Sequence, residues 1–379
     1  MTRFRRRHML LCLALIAPSA GCTGTDTEAA TDAIDGSADD TRIDDTHNEP
    51  GTTDRELAER AVDPVPRGVV WTSTVPEPAA CASPANCIDD YLRLVDRAAA
   101  FARPTDLSML PAFLAETDAG RVPQLAPPLA DDALRDRIIE ELNLGFLLDR
   151  IEARSLEVAV VSEQPREGYL ERTLRITDPW VGRFDALLLL PTTPGPHPGL
   201  VAAHGHGDTK ERYRDEYHGA EHAPRGYVTL IPDLRAMGSG GEALLEVRVA
   251  RELMQRGFSL MGLRVYELLL SARVLRSLDE TAGQPLVLIG HSGGSSTGNL
   301  LVRIDRGFAA FVSDHSVDYA EWVPGLNTYH CETVPGLFEV SAQINDRATS
   351  PVPTRVEPYK YTDGMEGIFA FFDGIASRR

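Results

Sequence analysis

Cysteine is scarce in this chain: five residues in 379, at positions 12, 22, 81, 87 and 331. Their spacing does not match the paired ligands of a structural zinc site. Positive charge is also short, with 38 Lys and Arg against 56 Asp and Glu and a formal net charge of −18. Such a chain lacks the basic face that nucleic-acid binding requires, so no nucleic-acid partner is expected. The N-terminal apolar run, residues 9–17, is too short to cross a bilayer. With 43% apolar residues, the chain can bury one substantial core and carry additional segments around it.

The N-terminus combines three signals. Arg3, Arg5, Arg6 and Arg7 form a basic region, the apolar run follows, and Ser19-Ala20-Gly21 precedes Cys22. This order reads as a signal peptide over residues 1–21. The Ser19–Cys22 segment resembles a bacterial lipobox, with serine where an aliphatic residue is usual, and implies lipidation of Cys22. The expected location is therefore the bacterial cell envelope, exported and held to the membrane through that lipid. Cys12 would leave with the signal. Cys81 and Cys87 could close a small disulfide loop in an oxidising compartment, leaving Cys331 as a buried thiol.

Residues 22–66 read as a disordered acidic tether. Between residues 23 and 64 there are thirteen acids against three arginines and almost no large apolar side chains, too little to offset the entropy of ordering. Residues 67–155 read as a helical N-terminal layer, with helices over 88–102 and 130–153 from the recurrence of apolar positions. The texture then changes. Residues 156–161, 170–176, 186–190, 199–203, 227–232, 286–289 and 308–313 read as strands, alternating from 199 onward with helices, including 242–279 and 295–305. This pattern predicts an α/β fold over residues 156–379: a mostly parallel, doubly wound sheet with antiparallel leading strands.

The chemistry concentrates at Gly290-His291-Ser292-Gly293-Gly294, between the strand ending near residue 289 and the following helix. A strand-to-helix turn that tight needs glycines beside the serine and holds its hydroxyl out at the carboxyl edge of the sheet, as a nucleophile requires. A second element, His204-Gly205-His206-Gly207, follows strand 199–203. An acyl-transfer site needs backbone N–H groups aimed at the developing oxyanion. Gly293 would supply one, and the His206 or Gly207 amide the other. His204 reads as structural.

In these motifs, and in Gly226-Tyr227 with Pro232-Asp233-Leu234-Arg235, the chain resembles the α/β-hydrolase superfamily over residues 156–337. Within it, the chain resembles the acetyl-xylan-esterase-like and dienelactone-hydrolase-like esterases. The resemblance implies an α/β-hydrolase fold and a serine carboxylesterase that forms an acyl-enzyme on a small-molecule ester, with no metal or organic cofactor. That superfamily orders its triad as serine, acid, histidine. Downstream of Ser292 only His315 and His330 occur. The closing stretch 359–372 shows Asp363-Gly364-Met365-Glu366 where a Gly-His-x-Phe turn belongs. A rearranged triad would use His330 as base and Asp314 as acid, with Asp363 and Glu366 as alternative acids. His315, adjacent to Asp314 on a strand, points to the opposite face.

Two other readings stay open. A scaffold without turnover would bind a ligand at the same place. His204, His206 and Asp208 also resemble the His-x-His-x-Asp motif of metallo-β-lactamases and could hold a zinc ion, although Thr209 stands where that family continues with histidine. The anchoring expectation is directly testable. Protein expressed in bacteria should partition into detergent, Cys22→Ser should abolish this, and mass spectrometry should find Cys22 acylated as the mature N-terminus, since two or more acyl chains anchor durably.

Overall fold

A computed structural model describes residues 68–72, 127–151, 155–237, 246, 249–250, 253, 256–314, 332, 334–357, 361 and 364–376, all within the unit Thr52–Arg379. Nine strands form a single sheet: β1 (Gly68–Thr72), β2 (Ser155–Arg166), β3 (Tyr169–Asp178), β4 (Gly182–Pro191), β5 (Gly199–Ala203), β6 (Val228–Pro232), β7 (Leu286–His291), β8 (Phe308–Asp314) and β9 (Thr354–Glu357). Their spatial order is β1-β2-β3-β4-β6-β5-β7-β8-β9. The leading strands β2, β3 and β4 pair antiparallel, as does β4 with β6. From β6 through β9 every pairing is parallel.

Every residue of β5, β6, β7 and β8 is buried, because layers cover both faces of this half of the sheet. Alternation is therefore lost and the strands read as continuous apolar runs. One face carries α1 (Asp131–Glu141), α2 (Gly145–Ile151), α5 (Leu260–Arg276) and α6 (Gly293–Ile304). The other carries α3 (Lys210–Glu216), α4 (Gly219–His222) and α8 (Glu366–Ala376). A short helix α7 (Ser341–Asn345) precedes β9. The chain leaves β5 toward one face and β7 toward the other. A crevice opens between such strands at their carboxyl ends, the ligand position of doubly wound sheets.

Several elements differ from the sequence reading. Residues 67–155, expected as a helical layer, include the strand β1, which pairs parallel with β2. The helix expected over 130–153 is two helices. Asn143 sits between them with φ 52°, a conformation its short polar side chain tolerates. Leu142 and Leu144 stay buried on either side of the break. The stretch 242–279 is interrupted at Gly257, φ 77°. Helix α5 starts afresh there, with Ser259 Oγ accepting from the Gly262 N–H at 2.9 Å, a standard N-cap. Strand β9 was not anticipated: Thr-Arg-Val-Glu carries a single large apolar residue.

His222, the last residue of α4, is fully buried between the rings of Tyr213 and Phe369, at 6.5 and 6.1 Å. Neither ring nitrogen has a hydrogen-bond partner among the described residues. Burial, aided by the charge of nearby His218, pushes its pKa down to about 3, against about 6.5 in an unfolded chain. The unfolded state therefore binds the extra proton, and stability is fully present above pH 6.5 and declines as pH falls from there toward 3. Thermal midpoints measured from pH 7 to pH 4 should fall, and His222→Leu should flatten the slope. An unchanged slope would show that His222 does not carry it.

Candidate active site

Strand β7 ends at His291, and α6 begins at Gly293. Ser292 between them has φ 48° and ψ −118°, a backbone state that costs a non-glycine residue about 1–3 kcal/mol. The turn is fixed on both sides: the Ser292 N–H donates to the Asp314 carbonyl at the end of β8 (2.9 Å), and the Ser296 N–H returns to the Ser292 carbonyl (3.0 Å). Two glycines let the chain after β5 approach this elbow. A Cβ on Gly205 would lie 2.8 Å from the Ser292 Cβ, and a Cβ on Gly294 would overlap the carbonyl oxygens of Ala203 and His204. At Gly294 the ends of β5 and β7 thus meet backbone against backbone, while Gly205 leaves room for the Ser292 and His291 side chains.

Gly293 is the first residue of α6, so its N–H has no partner within the helix. Of the two amides expected opposite it, Gly207 is excluded, because its N–H donates to the Met237 carbonyl at 2.9 Å. The His206 amide is the one that remains. His204 is buried and uses both ring nitrogens: Nδ1 donates to the Gly205 carbonyl and Nε2 accepts from the Leu234 N–H, each at 3.0 Å. Burial lowers its pKa, against the pull of Asp233, so it holds the loop as a neutral ring. The Asp208 carboxylate pairs with Arg212 at 3.0 Å, and His206 turns to Glu246 at 3.1 Å. The three side chains of the His-x-His-x-Asp reading thus face different partners. Among the described residues no group of three or more His, Cys, Asp or Glu is placed to hold a metal ion.

Asp314 is fully buried at the end of β8. Its Oδ2 accepts from His291 Nδ1 at 2.5 Å, a partner that the sequence reading did not give it. The cause is register: His291 and Asp314 are opposite each other at the carboxyl ends of adjacent parallel strands. The His291 ring packs on Tyr217, 4.4 Å between centroids, on the face away from α6. His330, His315, Asp363 and the cysteines at 22, 81, 87 and 331 lie outside the described residues. Glu366 is exposed on α8 and pairs with Arg225. Ser292 Oγ forms no hydrogen bond among the described residues.

A buried charge network that the sequence reading missed lies beside the elbow. Arg264 of α5 binds Glu246, whose Oε1 is also the partner of His206 Nε2. It further donates to the carbonyl of Ala236 at 2.8 Å, and Arg235 binds Glu267 one turn along α5. Burial would raise the Glu246 pKa, but the Arg264 charge and the His206 bond outweigh it and hold the carboxyl near 2. Glu332 approaches from the other side, its Oε1 3.7 Å from His206 Nδ1.

The strand order, the crossovers and the elbow at Ser292 define an α/β-hydrolase fold. No family model and no curated protein matches the chain. Among solved structures it is similar to a Bacteroides fragilis protein provisionally designated an acetyl xylan esterase. The two share 18% identity with a TM-score of 0.51, over 67% of this chain and 76% of that one. Acetyl xylan esterases from Thermoanaerobacterium sp. and Paenibacillus sp. R4 align with a TM-score of 0.45 each. Their identities are 13% and 14%, over 70% and 72% of this chain and 97% and 99% of theirs.

Gly294→Ala tests the close approach of the two loops. The added methyl must push the Ala203–His204 carbonyls away from α6, and overpacking of this kind costs about 1–3 kcal/mol. The variant should keep its secondary structure by circular dichroism yet melt several degrees lower. An unshifted melting temperature would mean that the loops are not in contact.

Proposed function

We propose that the chain hydrolyses carboxylic esters of small molecules through an acyl-enzyme on Ser292, as an exported protein anchored by a lipid on Cys22. The observation that carries this reading is the Ser292 backbone at φ 48°, ψ −118°. Strain of that kind presents a hydroxyl at the mouth of the crevice, next to a helix-terminal N–H with no partner within its helix. In the reaction Ser292 Oγ bonds to the ester carbonyl carbon and its proton passes to an imidazole. The carbonyl electron pair collects on oxygen, facing the amides of Gly293 and His206. Collapse expels the alcohol, which takes the proton, and water repeats the sequence on the acyl-enzyme. The resemblance of the Gly290–Gly294 and His204–Gly207 motifs to esterase motifs supports the same chemistry. So does the provisional designation of the Bacteroides fragilis protein.

One observation favours a second reading, a ligand-binding scaffold without turnover: Ser292 Oγ has no hydrogen-bonded base among the described residues. A fluorophosphonate separates the two. It should modify Ser292, and the protein should hydrolyse a small activated ester, with Ser292→Ala lowering turnover by about 10⁴–10⁶. A folded protein that neither labels nor hydrolyses would leave the scaffold.

A further inference from the structure

We propose that His206 is the general base for Ser292, oriented by Glu246; this rests on the serine-hydrolase reading above. The placement comes from two adjacent residues straddling the elbow. Gly205 lies against Ser292, a Cβ on the glycine falling 2.8 Å from the Ser292 Cβ, and the next residue, His206, lies against Gly293. A Cβ on Gly293 would fall 2.5 Å from His206 Cε1 and 2.6 Å from Nδ1, so the imidazole edge that includes Nδ1 rests on the residue following the nucleophile. The opposite nitrogen, Nε2, donates to Glu246 Oε1 at 3.1 Å. That bond fixes the tautomer with the lone pair at Nδ1, on the elbow side, as a base needs.

Charge around the ring fits the same role. Glu246 is itself held by Arg264, a fully buried residue of α5 that also grips the Ala236 carbonyl, so the orienting carboxylate is anchored and stays ionised. When Nδ1 takes the Ser292 proton the ring becomes a cation, with Glu246 at one nitrogen and Glu332 Oε1 3.7 Å from the other. Carboxylates in those positions favour the cation. The Oγ–H bond breaks toward Nδ1 as the Oγ–carbonyl carbon bond forms. On collapse the same proton leaves Nδ1 for the departing alkoxide, so His206 returns neutral. Serine–imidazole hydrogen bonds in ligand-free enzymes are commonly long and close on substrate binding. By contrast His291, the other carboxylate-bound histidine beside Ser292, faces Tyr217 on the far side of the sheet.

The test is the rate of fluorophosphonate labelling at Ser292 in the full chain. His206→Gln should slow labelling at least about 100-fold, the lower end of what a positioned base contributes, and Glu246→Gln should slow it by a smaller factor. Added imidazole should restore part of the rate in His206→Gly, which a purely structural histidine would not allow. His218→Ala, an exposed histidine paired with Glu221, should label like the parent. Circular dichroism confirms that each variant is folded. Parent-like labelling of His206→Gln overturns the assignment. So does labelling lost in His330→Ala but kept in His206→Gln; both results leave Ser292 as nucleophile. A parent protein that does not label at all overturns the hydrolase reading itself.

Discussion

The architecture of this molecule depends on the contact between the end of β5 and the elbow after β7, brought close by a glycine on each segment. Gly294 admits the Ala203 and His204 carbonyls against the start of α6, and Gly205 admits Ser292. The first of these contacts is backbone against backbone, and β5 and β7 pair directly, so the sheet sets the spacing between the two strand ends. These two segments carry the serine, the helix-terminal N–H of Gly293, and the His206 amide and ring, with Glu246 and Glu332 set around that ring. The antiparallel strands β2–β4 widen the sheet on one flank without entering this contact, while on the other β8 holds the elbow through the Asp314 carbonyl.

Around that contact the protein has invested buried charge. Arg235, Arg264 and Glu267 are fully buried and Glu246 nearly so, in a layer where apolar packing would serve stability as well. Breaking one partner of such a pair typically costs 3–5 kcal/mol, although the intact pair adds little over a hydrophobic replacement. What the pairs do achieve is geometric. They link the turn after β6, the middle of α5 and residue 246 in one chain of contacts that ends on the ring of His206. His204 completes it from beneath, holding Leu234 and Gly205 in a single span.

Much of this was legible in the amino-acid sequence for a definite reason. Strands β5 to β8 are buried on both faces, so they appear as uninterrupted apolar runs. The turn at Ser292 demands glycine on both sides, and this leaves a local signature. What was hidden depended on register or on distant partners. Strand β9 is four residues with arginine and glutamate among them and is recognisable only beside β8. The split of α1 from α2 turns on a single left-handed Asn143. The His291–Asp314 pair follows from two strand ends lying side by side, and no spacing in the chain encodes that. Glu246 and Arg264, 18 residues apart, become neighbours of His206 only through the packing of α5, and the Gly207 amide is taken up by the Met237 carbonyl, 30 residues away.

The φ of 48° at Ser292 also bears on which residue belongs there. For stability alone glycine is the better occupant of position 292, since it takes that conformation without a Cβ penalty. The fold tolerates the serine but does not require it, and the side chain that defines the crevice is the one a search for a sturdier sequence would discard first. If Ser292 is the nucleophile proposed above, stability and reactivity rank the residues at this position in opposite orders.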